Sequence, residues 1–211
     1  MFQFILQIAL LLYMPACKKA AQDNTTNPIA TTPTDTATFF AKGADVSWVT
    51  EMESQGIKFY NSANNETECM QLLQSVGMNA IRLRVWVNPT DHWCDQNDLL
   101  NKAIRAKNLG MKILLDFHYS DIWADPGNQT KPALWNTASF NDLKDSVYQH
   151  TYRVMNVLKQ NGITPEWVQV GNETNDGMLW PDGRASTKDG VCSRHECRQH
   201  KRDQDSVQQA V

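Results

Sequence analysis

Three times in this chain a helix-like pattern ends on a glycine that leads straight into an apolar run: Gly77-Met78, Gly110-Met111 and Gly162-Ile163. A helix that stops on glycine and returns at once into a buried strand is the repeating unit of a parallel sheet. Residues 66–76 put Cys69, Leu72, Leu73 and Val76 on one face of a predicted helix, with Asn65 as its cap and Gly77 as its stop. Residues 96–109 predict a second helix, capped by Asp95 and closed by Gly110. Residues 140–161 predict the longest. There Phe140, Leu143, Val147, Thr151, Val154 and Leu158 recur at three- and four-residue steps after Ser139. The predicted strands are "GADVSW" (43–48), "MNAIRLRVWV" (78–87), "MKILLDFHYS" (111–120) and "EWVQVGNE" (166–173). Trp167, Val168, Val170 and Gly171 read as buried chain. Parallel strands separated by helices leave a (β/α)8 barrel or a doubly wound open sheet. No strand-to-helix turn carries a GxGxxG pattern, which disfavours the nucleotide-binding sheet. Polar and aromatic residues collect instead at the C-terminal end of every strand, where a barrel builds its active site. They are Asp45 and Trp48, then Arg82, Arg84 and Trp86, then Asp116, His118 and Asp121, then Asn172 and Glu173.

The 211 residues carry a net charge of −3 and are 41% hydrophobic. That is enough for one globular core. Mild acidity argues against a nucleic-acid partner, since a phosphate backbone calls for a basic face. Seven tryptophans are many for this length. Trp86, Trp93, Trp123, Trp135 and Trp180 sit in polar, loop-like surroundings, where they pack a core or offer a stacking surface to a flat ligand such as a sugar ring. Residues 1–17, "MFQFILQIALLLYMPAC", form an apolar run too short to span a bilayer. The run resembles a bacterial lipoprotein signal, with Cys17 as the lipid-attachment residue. An ordinary secretory signal is the alternative. Either signal implies export, to the bacterial cell surface, the periplasm or the medium, with a lipid anchor at Cys17 as the expected link to a membrane. Residues 18–40 are rich in Thr, Ala, Asn and Pro and read as a flexible tether. Residues 187–211 are charged and aperiodic and read as a disordered or out-of-frame tail. Within it Cys192, His195, Cys197 and His200 have too short a spacing for a usual structural zinc site. No metal or cofactor is expected.

Four stretches carry a specific resemblance: "GADVSW", "IRLRVWVNP" (81–89), "LLDFHYSDIWADPGNQTKPALW" (114–135) and "VQVGNETNDGMLWP" (168–181). In order and spacing they resemble the endo-β-1,4-galactanases of glycoside hydrolase family 53, which cleave arabinogalactan. The resemblance covers residues 41–186, about the first half of the family's domain. It implies a (β/α)8 TIM-barrel fold represented by about its first four βα units. It also implies a polysaccharide substrate, the galactan side chains of pectin, and a retaining mechanism in a monomeric enzyme.

Glycoside hydrolysis needs a proton for the leaving oxygen and stabilisation of an oxocarbenium-like centre. The resemblance implies that Glu173 is the general acid/base and that Asn172 holds the sugar 2-hydroxyl. It implies that Arg84 holds the nucleophile carboxylate, while Arg82, of the same parity, leaves open which arginine is structural. His118, Asp45, Asp121, Trp86, Trp123 and Trp180 are further candidates for substrate binding, each weighed against a packing or structural role. The nucleophile itself is expected at the end of a seventh strand. Glu196 is the only glutamate after Glu173, and it lies in the charged tail. The rival readings are a non-catalytic surface glycan-binding protein and a related retaining glycosidase acting on mannan, xylan or glucan. A galactan-release assay on the purified 211-residue chain is therefore expected to give little or no product, and robust, Glu173-dependent turnover overturns that expectation.

Overall fold

The computed structural model describes residues 39–188; the expected signal, almost all of the expected tether and most of the expected tail lie outside the described residues. Four strands form one sheet in the order β1-β2-β3-β4, all neighbours parallel. They are β1 (Gly43–Asp45), β2 (Ala80–Val85), β3 (Lys112–Phe117) and β4 (Trp167–Val170). Among the described residues five helices accompany them: α1 (Val49–Ser54), α2 (Cys69–Ser75), α3 (Gln96–Asn108), α4 (Phe140–Gln160) and α5 (Ala185–Lys188). A 3-10 turn over Ala133–Trp135 precedes α4.

The capping chemistry explains α3 and α4. The Asp95 carboxylate accepts the N–H groups of Asn97 and Asp98, and the Ser139 hydroxyl accepts that of Asp142. Each cap satisfies donors that the first turn of a helix cannot bond internally. Both helices stop before a glycine in the left-handed region, Gly110 and Gly162, each with φ 66°. A side chain there is strained, so the chain leaves each helix and enters the next strand directly.

One face of the sheet is apolar and covered. Ile81, Leu83, Val85, Ile113, Leu115 and Phe117 alternate along β2 and β3 and are buried against α3 and α4. Leu99, Ala103 and Ala106 come from α3, and Leu143, Val154 and Leu158 from α4. Each fully buried Leu or Phe contributes about 1.5–3 kcal/mol. The intervening residues face the other side. The register sets Asp45 beside Arg82, Arg82 beside Leu114 and Leu114 beside Trp167, with Arg84, Asp116 and Gln169 as the next row. A buried ion pair backs β1 from α3. Lys102, fully buried, bonds Asp98 at 2.6 Å and the Ser47 carbonyl at 2.6 Å.

Several sequence expectations change. The helix predicted from residue 66 begins at Cys69 and is capped by Glu68, whose carboxylate accepts Gln71 N–H. Asn65 cannot cap it, because residues 59–67 close a turn of their own. Asn61 Oδ1 accepts the N–H groups of Ala63 and Asn65, and Thr67 N–H reaches the Phe59 carbonyl. Cys69 and Met70 are buried and Leu72 and Leu73 half-buried, while Val76, at the C-cap past the helix end, is 69% exposed. The four strands are shorter than predicted, ending at Asp45, Val85, Phe117 and Val170. The residues beyond those ends lie in loops. Trp167, expected to be buried, is 36% exposed, because β4 is an edge strand among the described residues. The six-residue α1 has no counterpart in the periodicity.

Under α4, His150 meets the rings of Phe117, Tyr119 and Trp135 edge-on. Burial first, and the Arg153 charge second, push its imidazole down to about 4 from 6.5. The folded state thus binds its proton more weakly than the unfolded state. The resulting stability is complete above pH 6.5 and is lost as pH falls toward 4. Denaturant unfolding at pH 7 and pH 4 is expected to differ by roughly 3 kcal/mol from this group, and His150→Gln is expected to remove that difference. An identical pH dependence in the variant sinks the assignment.

Candidate active site

The loops that follow the four strands meet at one end of the sheet, and their charged groups are joined by one guanidinium. Arg82 donates from Nη1 to Asp45 Oδ2 at 2.6 Å. From Nη2 it donates to Asp116 Oδ2 at 2.6 Å and to Asn172 Oδ1 at 2.7 Å. It therefore ties the ends of β1 and β3, and the turn after β4, to β2. Asp116 is fully buried after the apolar run Ile113–Leu115 of β3, and a carboxylate there requires a charged partner. Burial alone would raise the Asp45 carboxyl. The Ser47 hydroxyl and N–H and the Arg82 guanidinium outweigh it and hold the group below the usual carboxylate value.

Arg84 occupies a different environment. It is fully buried, and its N–H donates to Ser47 Oγ at 2.9 Å. Its guanidinium carbon lies 3.8 Å from the ring centroid of Trp48, 4.8 Å from that of Trp123 and 5.1 Å from that of Trp86. Trp48 and Trp123 are stacked, with centroids 5.5 Å apart and planes 15° from parallel. Aromatic faces stabilise a cation there without satisfying its hydrogens. Nε and Nη2 of Arg84 have no hydrogen-bond partner among the described residues.

His118 follows β3 and is almost completely buried. Its Nδ1 accepts the Ala124 N–H at 3.2 Å and the Trp86 indole N–H at 3.3 Å. Two donors on Nδ1 assign the proton to Nε2. Nε2 lies 2.9 Å from Asp116 Oδ2 but is not aligned for a hydrogen bond. Asn172 is buried and held from three sides. Its Oδ1 accepts from Arg82 and from Gln169 Nε2 at 3.1 Å, and its Nδ2 donates to the Ala124 carbonyl at 2.7 Å. One Nδ2 proton remains available.

Glu173 follows in the left-handed region, with φ 50°. A non-glycine residue there costs on the order of 1–3 kcal/mol. Its side chain is exposed, and its carboxylate makes no hydrogen bond among the described residues. Asp45, Arg84, Trp86, His118, Trp123 and Asn172 thus come together with Glu173 at one end of the sheet. Two other candidates have separate structural partners. Asp121 accepts the N–H groups of Asn88 at 2.9 Å and Ala133 at 2.8 Å, fastening two loops. Trp180 lies in the loop after β4, with the Arg184 guanidinium 4.2 Å over its ring and its indole N–H on the Asp176 carbonyl. Ser47 and Gln129 have roles that sequence patterning missed. The "DPGN" turn marks the Gln129 loop as ordered, but nothing in the chain order shows what that loop grips. Among the described residues, no group of three or more His, Cys, Asp or Glu side chains forms a metal site, and no helix is long and apolar enough to cross a membrane.

A parallel sheet with its polar chemistry at the C-terminal strand ends is the architecture of the (β/α)8 glycosidases. The family model of Glycosyl hydrolase family 53 matches residues 41–197, and the chain belongs to that family. It is 41% identical over 151 residues to "Arabinogalactan endo-beta-1,4-galactanase A" of Aspergillus niger, covering 71% of this chain and 43% of that protein. It is 43% identical over 152 residues to "Probable arabinogalactan endo-beta-1,4-galactanase A" of Aspergillus terreus, covering 72% of this chain and 43% of that protein. The solved "Ignisphaera aggregans GH53 catalytic domain" superposes with a TM-score of 0.67 at 38% identity, covering 76% of this chain and 46% of that one. The chain spans less than half the length of these relatives.

Replacing Arg82 by Met is expected to lower unfolding stability by about 3 kcal/mol, because it leaves Asp116 as an unpaired buried charge. The double variant with Asp116→Asn is expected to recover part of the loss. Denaturant titration of the three proteins measures this, and a double variant no more stable than Arg82→Met refutes the pairing.

Proposed function

We propose that this chain carries the acid/base half of a retaining endo-β-1,4-galactanase site, acting on the galactan side chains of pectin. The observation that carries the reading is Glu173, an exposed carboxylate, unbonded among the described residues and set directly beside an asparagine that Arg82 locks in place. In the reaction, Glu173 gives its proton to the leaving glycosidic oxygen and then takes one from water. The free Nδ2 proton of Asn172 donates to the sugar 2-hydroxyl. Arg84 faces the nucleophile carboxylate, and its Nε and Nη2, unpartnered among the described residues, supply the donors for it. Trp86 and Trp123, with Trp48, offer aromatic surface to the sugar rings. His118 and Asp45 shape the floor through Asp116 and Arg82. Asp121 and Trp180 serve the groove by holding its loops.

We also propose that the protein is exported and that Cys17 carries a lipid that anchors a monomeric enzyme at a membrane surface. The apolar run ending at Cys17 and the polar tether after it support this.

In a chain extended through the eighth strand, Glu173→Gln is expected to reduce galactan hydrolysis at least about a thousandfold, since it removes the transferable proton. Hydrolysis followed by NMR is expected to release products with retained anomeric configuration. Galactan binding unaffected by the substitution, without turnover in the extended chain, selects the glycan-binding reading. Faster cleavage of mannan, xylan or glucan selects a different substrate.

A further inference from the structure

Gln129 stands outside the charged network, yet it is only 2% exposed and sits against the turn that carries Glu173. Its side-chain Nε2 donates to the Asn172 carbonyl at 2.7 Å and to the Asp125 carbonyl at 3.0 Å. The Glu173 carbonyl lies 3.4 Å from the same nitrogen. Its own main-chain carbonyl accepts the Trp180 N–H at 2.7 Å. One residue of the loop after β3 therefore bonds the loop after β4 on both sides of Glu173.

The holding loop is itself constrained. Asp125 and Asn128 exchange two main-chain hydrogen bonds, at 2.9 and 3.1 Å, and Asp125 Oδ1 accepts the Gly127 N–H at 2.7 Å. Ala124, in the same loop, takes the side-chain amide of Asn172. Main chain and side chain of Asn172 are thus gripped by one short segment. The next residue, Glu173, occupies a left-handed conformation that its own side chain does not favour. Such a conformation persists only where its surroundings impose it.

We propose that Gln129 is a positioning residue: its side-chain amide fixes the main chain at Asn172–Glu173 and so sets the direction in which the Glu173 carboxylate points. This rests on reading Glu173 as the acid/base. A purely structural Gln129 would satisfy buried carbonyls without influencing catalysis. The two roles differ in what a substitution changes. Loss of aim lowers kcat and leaves binding intact, since a displacement of about 1 Å can cost a hundredfold in rate. Loss of structure lowers stability and weakens binding together.

The test begins with the unsubstituted 211-residue chain, labelled for NMR. The Gln129 side-chain amide protons are expected to exchange at least about a hundredfold more slowly than those of an exposed glutamine. Exchange at the exposed rate overturns the proposal without any variant. Gln129→Met keeps the length and removes the donors. In that variant the Asn175 amide, which bonds the Glu173 carbonyl at 2.9 Å, is expected to exchange at least about tenfold faster. Amides of β2 and β3 are expected to be unchanged. In galactan hydrolysis by the family-length protein, the same variant is expected to lose about ten- to a hundredfold in kcat with KM within about twofold. An unchanged Asn175 amide, or equal losses in kcat, affinity and Tm, overturns the positioning role. If Glu173→Gln leaves hydrolysis intact, the acid/base reading falls, while the exchange data still decide whether Gln129 holds the turn.

Discussion

Arg82 is the interaction on which the arrangement of this end of the sheet depends. Its guanidinium bonds Asp45, Asp116 and Asn172, one group from each of the other three strand ends. Asp116 is fully buried, so its charge is tolerable only while that guanidinium is in place. The same contact enforces register. A slip of β2 by one residue would turn Arg82 to the apolar face and bring Ile81 or Leu83 to Asp116. The hydrophobic alternation of β2 and β3 and the ion pair therefore demand one alignment.

The second cation of β2 is placed by the opposite logic. Arg82 is surrounded by oxygen atoms, whereas Arg84 lies against three indole rings and keeps Nε and Nη2 unbonded among the described residues. Two residues apart on one strand, they face the same side and meet different chemistry. Arg82 directs three of its donors to oxygen acceptors and organises the floor. Arg84 has donors to spare, which suits the proposed contact with a carboxylate. A buried ion pair reinforces this from behind. Lys102 grips the Ser47 carbonyl, and Ser47 in turn meets Asp45 and Arg84, so α3 reaches the mouth through a single serine.

How much of this was legible in the chain depended on range. The α3 and α4 boundaries followed from Asp95, Ser139, Gly110 and Gly162, because caps and glycine stops act within a few residues. The start of α2 was misplaced for the complementary reason. Asn65 has the chemistry of a cap, but Asn61 had already recruited it into a turn, and two local signals of similar strength competed. The strand ends ran short because residues such as Trp48, Trp86 and His118 keep apolar character while leaving the sheet. Asp116 was visible as a charge in an apolar run, which implies a partner without naming it. Gln129 was invisible, since a glutamine in a polar loop carries no sign of what it will touch.

By itself the sequence determined the alternation of strand and helix, the face each strand presents, the ends of α3 and α4 and the clustering of polar residues after the strands. These depend on periodicity and on neighbours a few positions apart, so they can be read in order along the chain. Only the tertiary structure decided which arginine bonds the carboxylates and which meets the indole rings, how Asn172 is held, and which loop bonds the Glu173 turn. Arg82 and Asn172 are 90 positions apart, and Gln129 and Asn172 are 43. Pairings at that distance are set by strand order and sheet register, which bring the loops together only once the core has formed.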